Sequence, residues 1–381
     1  MKKLIFGLVS ALFVFLHCSQ NNANPVGGDL FDSSDLGTVE RLPVSASADT
    51  SFAVPDLSTG SGSYLYIGRV QDMHAASMIR FIGLEDTASI DSAVLLINVA
   101  RVVNSSGIPG SVNLYTLTSS WDDQSFKSSD FNSGLIGNKA GTIPVLSDSL
   151  DTLRYKMDTS LILQWMDSTG NEPNNGLYLE TEDDLMLQCY SRDMSASVTT
   201  GPQLLLYFTG DSTRYPAVYE ATYDLFVATS AIQPAADQLV IESGTAFRAF
   251  MTFDLKTFSP TDIINRATLI LTADTLLTLP AVNQTLYFTA CPLDSLTAFT
   301  ELECDAENTG IGTYDSGKCQ IDLTAQIQSI ISGRMDNDGF LIQNAEESSL
   351  LQRLVFYRSN AEPSLRPILK ITVTVPPTGQ I

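Results

Sequence analysis

Nucleophilic catalysis needs a base beside the attacking group, and histidine is nearly missing from this chain. Only His17 and His74 occur. His17 belongs to an N-terminal apolar leader. His74 follows Gln71-Asp72-Met73 in a polar stretch that reads as an inter-strand loop. No G-x-S-x-G elbow appears. One remaining histidine does not make a His-based metal site. Asp336-Asn337-Asp338-Gly339 opens like a calcium loop, but Phe340 stands at the next oxygen position and no closing acid follows at the needed spacing. It reads as a turn, as does Asn174-Asn175-Gly176. Asp122, Asp123, Asp183 and Asp184 leave a non-EF calcium site open, and no other cofactor is implied. Paired carboxylates for glycoside hydrolysis cannot be singled out among 43 acidic residues. The chemistry that remains is recognition. Exposed aromatics that stack on sugar faces are the usual means. The candidates are Trp121, Tyr64, Tyr66 and Tyr190, with Tyr178 beside them. Trp165, in the run Leu161-Ile162-Leu163-Gln164-Trp165-Met166, reads as core. Arg192 and Arg358 recur beside a tyrosine and read as internal braces for a carboxylate or carbonyl.

The elements that must hold these residues are β-strands. Short β-branched or aromatic runs, such as Ser77-Met78-Ile79-Arg80-Phe81 and Val112-Asn113-Leu114-Tyr115-Thr116-Leu117, are bounded by Gly, Pro, Asn and Asp. No long helix-period segment interrupts them. The hydrophobic share of 44% over 381 residues builds real cores. A net charge of -22 repels nucleic acid and other polyanions. Lys2 and Lys3 precede an apolar run, Leu4 to Leu16, of signal-core length. It closes on Cys18, and a polar segment rich in Gly, Ser and Asp follows, which reads as a tether over 19–45. This arrangement resembles a bacterial lipoprotein signal, with His17 where that pattern has a small residue. The resemblance implies lipidation of Cys18, export, and residence at the outer membrane or cell surface. Four later cysteines remain, and Cys291, Cys304 and Cys319 are close enough in sequence to supply one local disulfide. Cys189, in an apolar strand-like run, reads as simply buried.

The chain also repeats itself. Tyr155-Lys156-Met157-Asp158-Thr159, Asn175-Gly176-Leu177, Cys189-Tyr190-Ser191-Arg192 and Gly201-Pro202-Gln203-Leu204 return as Cys319-Gln320-Ile321-Asp322-Leu323-Thr324, Asp338-Gly339-Phe340, Phe356-Tyr357-Arg358-Ser359 and Arg366-Pro367-Ile368-Leu369. Ala93-x-Leu95 has its counterpart in Ala267-x-Leu269. The expectation is two sandwiches, 46–209 and 219–375, joined by a linker over 210–218, with 1–18 as signal and 376–381 as tail. In this order the motifs resemble tandem DNRLRE-type domains, similar to family ninety-six of the carbohydrate-binding modules. Phe299 and Ile330 stand where Trp121 and Trp165 would recur. The resemblance implies an all-β protein of two tandem jelly-roll-like β-sandwich domains and does not imply catalysis. The expected function is a non-catalytic surface lipoprotein that is held to the membrane by its lipid and recognises glycan or another envelope component. The alternatives are a purely structural lipoprotein and a polysaccharide hydrolase. An acidic glycan is disfavoured by the charge unless calcium bridges it.

Overall fold

The computed structural model describes residues 37–54, 56–84, 89–167, 173–194, 201–209, 215–279, 285–293 and 306–377. The leader with Cys18, and Cys304, lie outside them. The described chain is nearly all β. It opens with a long strand, β1 (Thr38–Ala53). A first run of elements follows: β2 (Tyr64–Val70), β3 (Met73–Arg80), β4 (Ile90–Asn104), β5 (Gly110–Leu117), β6 (Ile136–Val145), β7 (Thr152–Met157), helix α1 (Thr159–Met166), β8 (Leu177–Glu180), β9 (Met186–Tyr190) and β10 (Gln203–Phe208). Then come β11 (Ala217–Glu220) and β12 (Tyr223–Ser230). The second run repeats the first as β13 (Gln238–Ser243), β14 (Phe247–Phe253), β15 (Ile263–Thr272), β16 (Leu286–Pro292), β17 (Gly310–Asp315), β18 (Lys318–Asp322), helix α2 (Thr324–Ile331), β19 (Phe340–Asn344), β20 (Gln352–Tyr357) and β21 (Ile368–Val375).

Alternation sets the inward faces. In β4, Ala93, Leu95, Ile97 and Val99 are buried, and in β15 Ala267, Leu269 and Leu271 take the same places. Each large aliphatic removed from water this way contributes about 1.5–3 kcal/mol. The pairing rules of the two runs coincide: β2 with β3 and β9, β5 with β6 and β8, and β4 with β7 and β10 recur as β13 with β14 and β20, β16 with β17 and β19, and β15 with β18 and β21.

The expected domain boundaries need correction. β1 lies in the second body, where its first half pairs with β21 and its second half with β14. β11 and β12 hold the matching places in the first body, against β10 and β3. The opening strand of each repeat therefore completes the other repeat's body. The first body is continuous, from β2 to β12, and the second is closed by both ends of the described chain. The expected tether over 19–45 ends by Thr38, because 38–45 is strand. Pro43 is tolerated because β1 pairs on one side only there, so its missing N–H interrupts no second ladder.

Each exchanged strand is keyed by a buried aspartate. Asp49 accepts from Arg358 Nε at 2.7 Å and from the Ser359 backbone N–H at 2.6 Å. Asp224, at the equivalent register, accepts from Ser191 Oγ and from the Arg192 backbone N–H, both at 2.8 Å. The Arg192 guanidinium turns to Asp123 at 3.1 Å and to the Thr222 carbonyl. Arg192 and Arg358 are thus internal braces. Between the bodies, Leu351 packs among Tyr66, Met73, Ala75, Met186 and Phe226. Beside it the buried Arg353 binds Glu242, Asp72 and, at 2.8 Å, Ser230 Oγ. These three acceptors come from both bodies.

The second body is a closed barrel, because β17 pairs with β16 and β18 and β1 bridges β21 to β14. The first body is open: β6 pairs only with β5, and β7 only with β4. Ser316 and Gly317 explain the closure. Their φ angles of 50° and 80° make a two-residue hairpin turn between β17 and β18. In the first body residues 146–151 form a longer connection, and β6 carries register slips opposite Tyr115. Among the described residues one hydrogen bond crosses the gap, from the Tyr155 hydroxyl to the Ala140 carbonyl at 3.2 Å.

Candidate functional site

The expected stacking aromatics are mostly structural. Trp121 is buried, its ring edge-on to Phe126 and Tyr223 at 6.4 and 6.2 Å. Its indole N–H donates to the Asn175 carbonyl at 2.8 Å. Tyr66 is 1% exposed, its hydroxyl accepts from Gln188 Nε2 at 2.8 Å, and burial pushes that hydroxyl's pKa up. Neither can meet a sugar. Tyr64 and Tyr190 face each other across β2 and β9, half-buried, with ring centroids 6.0 Å apart and tilted by 35°. They pack on one another, and Tyr64 also packs against two of the hydrophobic clusters. Tyr178 is buried against Phe131.

The cysteines divide. Cys291 is disulfide-bonded. Cys319, one of the three bridge candidates, is a free buried thiol, so the local bridge expected among them does not use it. Cys189 is also free and buried, and burial pushes its thiol up to about 12. Both are inert as nucleophiles. Among the described residues no group of three or more His, Cys, Asp or Glu side chains is placed to hold a metal. The Asp336–Gly339 segment is an irregular connection into β19: Asn337 Nδ2 donates to the Phe253 carbonyl at 2.8 Å and Gly339 has φ 105°.

A cavity of about 420 Å³ does open beside α1, between the helix, the end of β5 and the start of β6. Asp158 caps α1 by accepting from the Ser160 N–H at 2.9 Å. The helical period sends Ile162 and Met166 into the core and leaves Leu161, Gln164 and Trp165 facing the cavity. Gln164 is exposed and Trp165 half-buried. The opposite wall carries Thr116, Thr118 and Asn138. The floor is the turn Asn174-Asn175-Gly176. Gly176 has φ 91°, and a Cβ there would lie 2.2 Å from the Ile79 carbonyl oxygen, so glycine is required. Asn175 is 4% exposed; its Nδ2 donates to the Leu117 carbonyl at 3.3 Å, while its buried Oδ1 has no hydrogen-bond partner among the described residues. Trp121 thus has a supporting role here, because its bond to the Asn175 carbonyl fixes that turn.

Every residue lining this cavity is uncharged. In a chain with 64 ionisable Lys, Arg, Asp and Glu residues, 21 basic and 43 acidic, that selects the ligand. A charged group entering would lose water without gaining a counter-ion. Hydroxyls and amides facing an indole suit a neutral polyol.

Beside α2 the second body has a cavity of about 560 Å³ with a different lining, which includes Asp254, Lys256, Phe258, Ile330 and Ile331. Aligned from their first threonines, α1 and α2 place Gln326 at Leu161 and Ile330 at Trp165. Gln326 Nε2 donates to the Asn308 carbonyl at 2.8 Å and ties α2 to the segment entering β17. Leu161 cannot make that bond, and α1 stands clear of β6. Sequence reasoning missed Trp165, Gln164, Asn138 and Asn175. The available signal was their departure from the second copy.

No protein-family model matches the chain. No curated protein sequence matches it. Among solved structures, the infectious bursal disease virus VP2 subviral particle aligns at 12% identity over 92% of this chain and 79% of that one, with a TM-score of 0.15. The structure of the infectious bursal disease virus Gt strain aligns at 11% identity with the same coverage and a TM-score of 0.11. Likenesses this slight carry no argument about fold or function.

Proposed function

We propose that this chain is a non-catalytic envelope protein, exported and lipid-anchored through Cys18, that binds a neutral glycan in the cavity beside Trp165. The observation that carries the reading is the uncharged lining of amides, hydroxyls and one half-buried indole. The volume fits the usual range for small-ligand sites. The leader and its closing cysteine support export and anchoring.

The test is titration with a panel of neutral oligosaccharides, read by calorimetry and by tryptophan fluorescence. The chain has two tryptophans, and Trp121 is buried, so a ligand-induced change reports Trp165. Saturable binding is expected, lost in Gln164→Ala combined with Asn138→Ala. Both side chains are exposed and make no hydrogen bond among the described residues, so the double variant should fold normally. Silence across the panel would return the protein to a purely structural role.

A further inference from the structure

The second body carries a different surface. On the outer face of β1, β21, β15 and β18 lies a groove of about 600 Å³ lined by Arg41, Arg266, Lys370, Thr268, Thr372 and Gln320, over an apolar base that includes Ile270. The strand register brings these residues together. Arg41 is opposite Thr372, and Thr372 is opposite Arg266. One step along, Pro43 is opposite Lys370 and Lys370 opposite Thr268. Two inter-strand spacings put the Arg41 and Arg266 backbones about 9.6 Å apart, with Lys370 offset between them by about 6.6 Å along the strand. All three side chains line the same groove.

None of the three cations has a carboxylate partner among the described residues, although acids outnumber bases two to one in the chain. Arg266 Nε donates to Thr268 Oγ1 at 3.2 Å, which points the guanidinium along the groove. The acid nearest in register, Asp322 opposite Thr268, is engaged elsewhere: its Oδ1 accepts from the backbone N–H and the hydroxyl of Thr324 at the start of α2. Three exposed cations left unpaired side by side repel one another unless an anion joins them.

We propose that this groove is an oxyanion site for a phosphate group. One carboxylate is satisfied by a single guanidinium fork. Three cations with two hydroxyls and an amide supply more charge and more donors than that, and they match a tetrahedral dianion with several terminal oxygens. The phosphate can come as a free ion or as the headgroup of a membrane lipid. This site is separate from the Trp165 cavity and does not depend on it.

The experiment titrates the full chain with inorganic phosphate at low ionic strength, and in parallel with vesicles of phosphatidylglycerol and of phosphatidylcholine. The comparison protein is the Arg41→Gln, Arg266→Gln, Lys370→Gln variant. All three positions are exposed, so it should unfold at the wild-type temperature without ligand. Saturable phosphate binding that weakens at least tenfold in the variant supports the site, with a free anion as its source. Variant-sensitive binding to phosphatidylglycerol vesicles and not to phosphatidylcholine supports it with a lipid source. Absence of phosphate and vesicle binding, or equal binding by the variant, overturns the proposal. The Gln164→Ala, Asn138→Ala protein should bind phosphate like wild type, which keeps this outcome apart from the glycan reading.

Discussion

One strand plan yields a shut barrel in one body and a split one in the other. The difference is made by few residues. Ser316-Gly317 turns β17 straight back along β18, and Gln326 draws α2 onto the segment before β17. In the first body a six-residue connection and Leu161 replace them, and the seam between β6 and β7 is crossed by the Tyr155 hydroxyl. A cavity with ligand-like chemistry sits where the seam and the helix part. Duplication thus frees one copy to keep its walls complete while the other gives up a ladder and gains an uncharged concavity.

The comparison breaks hardest at the contact between the bodies. Arg353→Met leaves Glu242, which is fully buried, without its counter-charge. A loss of about 3–5 kcal/mol is expected on chemical denaturation. A loss below 1 kcal/mol would mean that the bodies do not lean on this arginine.

Of the two keying aspartates, Asp224 carries a pH dependence. Burial, opposed by the bonds from Arg192 and Ser191, raises the Asp224 pKa to about 7. Between the unfolded value of about 4 and 7, the folded chain holds a proton the unfolded chain has released. Its contribution is therefore full at low pH and lost as pH rises through 7. Asp224→Asn should remove that slope, so its stability relative to wild type should improve by roughly 2–4 kcal/mol from pH 4 to 8. Asp49→Asn instead weakens the ion pair with Arg358 and should destabilise. Parallel curves for wild type and Asp224→Asn would contradict the assignment.

Two smaller changes sharpen the contrast. Tyr155→Phe removes the bond across the seam and should lose about 1 kcal/mol in thermal unfolding, with no effect on phosphate binding. Leu161→Gln installs the second body's latch. It should change stability by less than about 1 kcal/mol, since the site is half-buried, yet abolish binding in the Trp165 cavity. Retained glycan affinity in that variant would show that helix docking does not govern the cavity.

Much of the architecture was legible because period-2 runs and their turn residues fix which face of a strand is buried. Ala93-x-Leu95 and Ala267-x-Leu269 announced matching strands, and the Asn-Gly and Asp-Gly turns matching corners. The strand exchange was not legible. Alternation says which side of β1 is apolar but not which sheet receives it, and the exposed outer residues of 38–45 look like a tether. Asp49 and Asp224 were a hint, each an acid inside a strand. The candidate site was half visible. Glycan-type chemistry was read from aromatics, but Trp121 and Tyr66 are enclosed by neighbours from distant strands, which local pattern cannot show. Trp165 sits in an apolar run, and only the helical period, with Ile162 and Met166 taking the core positions, turns it outward.

The pairing of Thr38 with Val375 has a consequence for how the molecule is made. The open unit is one uninterrupted stretch and can assemble while later residues are still being added. The shut unit cannot: its first strand emerges earliest and its last strand latest. Until then Leu42, Val44 and Ala46 wait without cover.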